Sequence, residues 1–381
     1  MRKFYNSCKT LWARVRFRFN YSVISDSEGK GNFVVLGNAS GRNPYCRTYL
    51  SQRDQPRVRQ VWYGGDIETA EKLSRKYGLV VISEIAAPAK LLDKVLHVPN
   101  FVSLIIRLPA DLPAYLMSIS STTRYNIKQL EKKGFTYETL ADPSWAGCFY
   151  KQYYKPTMLK SHGDEACILP PDVIRERFAK PRAELVKVHL NGVCVAAGIN
   201  QQIGDSYHFQ SFGWYNGDAE LRKAGVVTAI YWYTILRAHD LKCTNVNLGG
   251  TPPYLENGVM HFKTRWAATL CKEPSSHGYR DLLLNPANAH CHDFLKRNSI
   301  VAYGEDNCFI VLSSKLPEAC DLQETFLKDV EAWYLLRNEK GNDWDSASHR
   351  HLPVQLRGWY DRISLSYINK VPEYEMMDYP E

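Results

Sequence analysis

The dipeptide Asn191-Gly192 constrains this chain more than any other two residues. Both central positions of a two-residue hairpin turn need positive φ, and Asn-Gly supplies it, so the flanking apolar runs pair antiparallel. Residues 184–190 and 193–203 are therefore two strands, and Gly204-Asp205 turns the chain into a third at 206–215. This meander leads into a basic, glycine-containing turn from Leu221 to Val227, a long apolar helix ending near Leu241, and a strand at 244–248. Consecutive hairpins followed by a helix and a returning strand specify a mixed sheet with flanking helices, an α/β (α+β) fold.

The chain has 381 residues, more than the roughly 100–200 of one domain, so two domains are expected. Residues 1–114 form the first, with strand-like runs at 33–36, 79–83 and 102–106 and a helix at 67–77 stopped by Gly78. Residues 115–275 form the second. Asp111 as helix N-cap and Pro113 inside the first turn lead into its first helix at 115–119, and a further helix at 125–133 ends at Gly134. Residues 276–381 read as an extension that completes or covers the second domain. It holds a strand at 307–312, a helix with Phe326, Val330, Trp333 and Tyr334 on one stripe, a polar loop at 338–351 and an acidic tail at 373–381.

Charge is uneven. Lys and Arg exceed Asp and Glu by 48 to 40, and the excess sits between Met1 and Arg59, where Arg14, Arg16 and Arg18 alternate with Val15 and Phe17. On a strand these guanidinium groups share a face that suits the phosphates of a nucleic acid, a nucleotide or an anionic membrane surface, or simply meets water. Lys9 and the arginines after it interrupt any apolar run that would serve as a signal peptide, and no apolar stretch is long enough to span a bilayer. The expectation is a cytoplasmic protein with no transmembrane segment. The 10 cysteines show no CxxC pair, so reduced thiols are expected. His290-Cys291-His292 has no second pair at ligand spacing, and no metal site is assigned.

Asn247-Leu248-Gly249-Gly250, a short loop, then Gly258 and the Phe262-Lys263 pair resemble the end of the Fem-type (BioF2-like) branch of the GNAT acyltransferase superfamily. In that branch a glycine-containing strand end, a loop and a Phe-Lys pair close the second of two GNAT-like domains. Residues 120–128 and Lys132-Lys133-Gly134 resemble the arginine-led helix that opens the same domain. The likeness spans roughly residues 115–275. It implies tandem GNAT-like domains, the first degenerate, and N-acyl transfer to a small-molecule or peptide amine. The donor is an acyl-CoA or an aminoacyl-tRNA, a co-substrate rather than a tightly bound cofactor.

Under that resemblance Lys263 supports transfer, by binding donor phosphate, stabilising developing negative charge or acting as a base. His208 shares a strand face with Ser206 and Gln210 and is the second catalytic candidate, since imidazole titrates near neutrality. Arg222, Lys223, Gly225 and Val226 fit the start of the superfamily's Q/R-x-x-G-x-G/A phosphate loop, with Val227 standing where a small residue is expected. Phe262, Arg124, Lys128, Tyr254 and Asn247 are the substrate-binding candidates, with Glu256 beside them. Asn247 stands where the family often has an acid, which leaves it binding rather than base chemistry. The alternative is an inactive GNAT-fold protein that binds nucleic acid or an anionic membrane surface. A hydrolase is disfavoured because no G-x-S-x-G elbow is present.

Overall fold

The computed structural model describes residues 20–25, 33–36, 57–62, 68–82, 91–163, 168–271, 278–315 and 329–363. The arginine face at 14–18, Phe326 and the acidic tail lie outside them.

Five strands come first, β1 Asn20–Ser25, β2 Phe33–Leu36, β3 Arg57–Trp62, β4 Leu79–Ile82 and β5 Leu96–Pro99. The next seven are β6 Val102–Arg107, β7 Phe135–Leu140, β8 Ala183–Leu190, β9 Val193–Ile203, β10 Ser206–Trp214, β11 Asn245–Thr251 and β12 Ala268–Leu270. The last five are β13 Tyr279–Leu284, β14 Ile300–Tyr303, β15 Phe309–Ser313, β16 Val330–Leu336 and β17 Tyr360–Ile363. The helices used below are α1 Glu68–Tyr77, α2 Leu112–Ser118, α3 Ser121–Lys132, α4 Lys155–His162, α5 Pro171–Phe178, α6 Ala219–Ala224, α7 Val226–Asp240, α8 Gly258–Thr264 and α9 Ala289–Arg297.

The chain divides into two compact units. One comprises residues 1–102, 252–261 and 272–381, the other residues 103–251 and 262–271. The boundaries read from sequence, 114 and 275, therefore differ from those of the structure. The segment after 276 adds its strands to a ten-stranded sheet, β17-β16-β15-β14-β5-β13-β4-β2-β1-β3, in the unit that also holds the amino-terminal strands. Strand patterns reveal a strand's buried face but not its partner, and here β13 inserts between β4 and β5 across nearly two hundred residues of chain.

In that unit Val34, Val80, Ile82 and Leu283 line one buried cluster, while Val35, Val81, Leu282 and Leu284 join another. Alternation of this kind buries both faces of the sheet. The helix expected around Val330, Trp333 and Tyr334 is instead strand β16, parallel to β15. Its Val330, Ala332, Trp333 and Tyr334 are all buried, so apolar residues occur at spacings that satisfy a helical stripe as well as a doubly covered strand. The expected 338–351 loop holds two buried histidines, His349 and His351. His290-Cys291-His292 opens α9, with Cys291 in the core and His292 against the ring of Trp359.

The second unit carries a seven-stranded sheet, β12-β6-β11-β10-β9-β8-β7. Strands β7 to β10 form an antiparallel meander, and β11 joins β10 in parallel. The turn at Asn191-Gly192 has φ of 52° and 82°, the paired positive angles that the dipeptide favours. One face of the sheet packs on α5 and the helical run at 146–162, through Phe149, Tyr153, Ile174, Phe178, Leu185 and Ile199. Helix α7 covers the other, with Gly198 letting the ring of Phe209 approach β9. Among the described residues no helix is long and apolar enough to cross a membrane.

Candidate functional site

Strand β10 is irregular where the site forms. Its pairing with β9 shifts between Phe209 and Ser211, leaving Gln210 as the extra residue of a β-bulge. Bulges re-aim side chains and local backbone. The parallel ladder to β11 runs from Ser206↔Asn245 to His208↔Asn247 and stops there, although β10 continues to Trp214 and β11 to Thr251. Two strands that part inside a sheet leave main-chain polar groups facing a cleft.

At the end of β11, Asn247 Oδ1 accepts from Gly249 N at 2.8 Å, and Gly249 has φ of 74°. A side chain resists that left-handed angle, so the glycine is required for the turn. The turn aims two carbonyls at Lys263, whose Nζ donates to Gly249 O and Gly250 O, each at 3.0 Å. Lys263 is 4 % exposed, and burial pulls its ammonium down to about 7. Beside it Phe262 meets the buried Tyr231 ring edge-on at 4.9 Å, and Tyr231 stacks on Trp266 at 5.7 Å. This aromatic contact fixes the end of α8 against α7.

The turn before α7 adopts the form its sequence requires. Helix α6 ends at Gly225, which has φ of 106° and serves as both the end of α6 and the N-cap of α7. No side chain caps α7, and the first-turn N–H groups of a helix lack intrahelical acceptors and carry the positive end of its dipole. The Val226 side chain itself is fully buried. Arg222 and Lys223 are exposed, Lys223 pairs with Glu220 at 2.7 Å, and Lys133 from the end of α3 donates to Ala224 O at 2.9 Å.

Other predicted residues are placed differently. Arg124 Nη1 donates to Leu116 O, Met117 O and Ile119 O at 3.2, 3.0 and 2.8 Å. It closes the carboxyl end of α2, because unpaired carbonyls at a helix end attract a cation. Lys128, one turn on, is exposed. Tyr254 is buried in the core of the other unit and bridged to Ile300. Glu256 is likewise engaged there by Ser299 N and Oγ at 2.7 and 2.6 Å.

His208 lies on the half-buried face of β10, opposite Gln201 of β9. Sequence reading missed its neighbours. Arg177 from α5 donates through Nη1 to Gln210 O and Ser211 Oγ, both at 2.9 Å, and so holds the bulge. Gln210 Nε2 donates to Gln201 Oε1 at 2.8 Å. Nothing local in the sequence marks Arg177 or Gln201, since Arg177 meets the bulge through the packing of α5 on the sheet and Gln201 through strand pairing. Among the described residues no group of three or more His, Cys, Asp and Glu could hold a metal ion.

Residues 118–264 match the family model of the acetyltransferase (GNAT) domain. That stretch runs from the end of α2 to Lys263 and its neighbour, through the meander, the Gly225 turn and the parting of β10 from β11. No curated protein matches the chain. Solved structures similar to it include L-PGS from Bacillus licheniformis (11% identity, 71% of this chain and 86% of that one, TM-score 0.35). FemX is another (11% identity, 66% and 80%, TM-score 0.38), as is a GCN5-related N-acetyltransferase from Kribbella flavida (15% identity, 62% and 84%, TM-score 0.26). These likenesses are distant, and the family model carries the assignment of residues 118–264 as a GNAT acetyltransferase domain.

Proposed function

We propose that the seven-stranded unit is an N-acyltransferase of the Fem-like branch, moving an acyl or aminoacyl group from acyl-CoA or aminoacyl-tRNA to a primary amine. The observation that carries this reading is Lys263, buried at the end of β11 with a proton affinity near neutrality. Phosphates of the donor meet the first-turn amides of α7, with Arg222 and Lys128 as the exposed cations that can join them. The acyl group enters where β10 and β11 part.

In the reaction the amine nitrogen attacks the acyl carbonyl carbon, a tetrahedral oxyanion forms, and the carbon–sulfur or carbon–oxygen bond to the donor breaks. Neutral Lys263 has two N–H bonds and one lone pair. With the N–H bonds held by Gly249 O and Gly250 O, the lone pair is free to take the proton that the amine sheds. The resulting ammonium then offers that proton to the departing thiolate or alkoxide. His208, beside Asn247 at the last rung of the ladder, is the second group able to move a proton there. Both donors belong to the cytoplasm, where we place the reaction.

Thermal stabilisation by acetyl-CoA and longer acyl-CoAs, set beside alanyl-tRNA, tests the reading. A ligand at about 100 times its Kd adds roughly 2.7 kcal/mol. A saturable shift with one thioester identifies an acyl-CoA enzyme, and a salt-sensitive shift with tRNA alone identifies aminoacyl transfer. A protein shifted by neither, which transfers nothing to any amine, is instead the inactive GNAT-fold binder of nucleic acid or anionic membrane.

A further inference from the structure

The orientation of one side-chain amide on the half-buried face of the seven-stranded sheet follows from its hydrogen bonds. Gln201 Nε2 donates to Pro181 O at 3.2 Å. A main-chain carbonyl only accepts, so the NH₂ of Gln201 must face it and Gln201 Oε1 must point the other way. That oxygen accepts from Gln210 Nε2 at 2.8 Å, which requires the Gln210 amide to turn its own Oε1 outward from the pair. Gln210 Oε1 is buried and has no hydrogen-bond partner. A buried carbonyl oxygen left unpaired is costly, and a structure that fixes one in place by two successive bonds has reserved it for something.

The position of that oxygen indicates what it receives. Gln210 is the extra residue of the β10 bulge, two residues beyond His208, the last residue of β10 paired with β11. Its main-chain carbonyl is taken by Arg177 Nη1, so the bulge cannot relax by rotating the peptide. The donor's acyl carbonyl has no hydrogen to give, and phosphates have none to spare for an amide oxygen. The attacking amine must bring its N–H groups to the acyl carbon where β10 and β11 part, and the donor KM measured below separates it from the amide N–H groups that coenzyme A itself carries.

We infer that Gln210 Oε1, oriented through Gln201 by Pro181 O and held in the bulge by Arg177, is the subsite that binds the N–H of the acceptor's primary amine. The inference rests on the acyl-transfer reading and names the group that recognises its acceptor. By accepting one N–H, the oxygen turns the nitrogen lone pair toward the acyl carbon and leaves a second hydrogen for the base. An acceptor whose nitrogen is tertiary has no hydrogen for this oxygen and is excluded.

The experiment measures transfer from acetyl-CoA and from alanyl-tRNA to glycinamide, ethanolamine and lysine by wild type and by Gln210→Leu, Gln210→Glu and Gln201→Leu, with the melting temperature of each variant recorded. Expected for Gln210→Leu is an amine KM raised at least tenfold, while the donor KM and the amine-free release of thiol or tRNA stay as in wild type. Gln210→Glu keeps an acceptor oxygen and restores much of the amine KM. Gln201→Leu frees the Gln210 amide to flip and gives a smaller rise than Gln210→Leu. Transfer by wild type with an unchanged amine KM in Gln210→Leu overturns the subsite alone. Absence of transfer from either donor in wild type overturns acyl transfer itself, and the subsite falls with it. If Gln210→Leu fails to fold, Gln201→Leu and Gln210→Glu decide, and an amine KM unchanged in the first of them refutes the relay.

Discussion

The Nζ of Lys263 lies 3.0 Å from the carbonyl oxygen of Gly249. Gly249 can present that carbonyl because it turns the end of β11 at positive φ. A cation drawn from a helix is thus bound by backbone at a strand end, and its charge is offset by dipoles rather than by a carboxylate. That choice matters for chemistry. A carboxylate would stabilise the ammonium and raise its proton affinity, whereas burial beside two carbonyls brings it to about 7.

Replacing Lys263 by methionine keeps the volume and removes the titrating group. We expect kcat/KM for amine transfer to fall by about 10²–10⁴-fold, the usual scale for a general base. The acidic limb of the wild-type pH–rate profile, centred near 7, should vanish with it. A variant that retains both the rate and the limb would show that Lys263 only fills space.

The same residue couples folding to pH. Burial lowers Lys263 from the ordinary 10.5 to about 7 in the folded protein, so between those values the unfolded chain holds one more proton than the folded one. This group's destabilising effect is full below pH 7, declines as pH rises from 7, and is gone above 10.5. Urea unfolding should therefore find Lys263→Met more stable than wild type at pH 6, by an amount on the order of a few kcal/mol, with the gap closing toward pH 10. A gap independent of pH would mean that the lysine is not buried as a titrating group.

Arg124 and Lys128 should separate by role. Arg124→Ala leaves the carbonyls of Leu116, Met117 and Ile119 without their donor. Chemical denaturation should record a loss of about 1–3 kcal/mol, while the donor KM of the folded protein is unchanged. Lys128→Ala should leave stability within about 0.5 kcal/mol and reduce the salt dependence of donor binding. A donor KM that rises in Arg124→Ala without loss of stability would return Arg124 to the phosphate site.

Gly225 holds φ of 106° between α6 and α7. Gly225→Ala forces a Cβ into that region, at a cost of about 1–2 kcal/mol, and misdirects the first-turn amides. A lower melting temperature together with weaker donor binding is expected, measured on the same preparation. Loss of stability with unaltered donor affinity would move the phosphate site away from α7.

Much of the second unit was legible in the sequence because its signals are local. Asn191-Gly192 set the hairpin, Gly225 set the turn into α7, and Asp111 does cap α2 through Ala114 N. The candidate site was legible only in part. Lys263 and Asn247 stand at the strand end, whereas Tyr254, nine residues before Lys263, belongs to another core, because a loop's sequence says nothing about which core receives its side chains. The reading of Val330 to Tyr334 as helix failed for a related reason. An apolar run buried on both faces satisfies either periodicity, and only its pairing with β15 decides.

Local signals along the chain set the meander, the turns that need glycine, and the types of residue available to carry charge and protons. Hydrogen bonds between neighbours and backbone angles set these, and both depend on adjacent residues. Tertiary structure decided the rest: that β13 to β17 complete the sheet begun by β1 to β5, that Arg124 caps a helix, and that Gln210 presents an unpaired oxygen. It also decided that Lys263 titrates near neutrality, since the desolvation that sets its proton affinity comes from residues distant in the chain, and no local pattern of side chains records it.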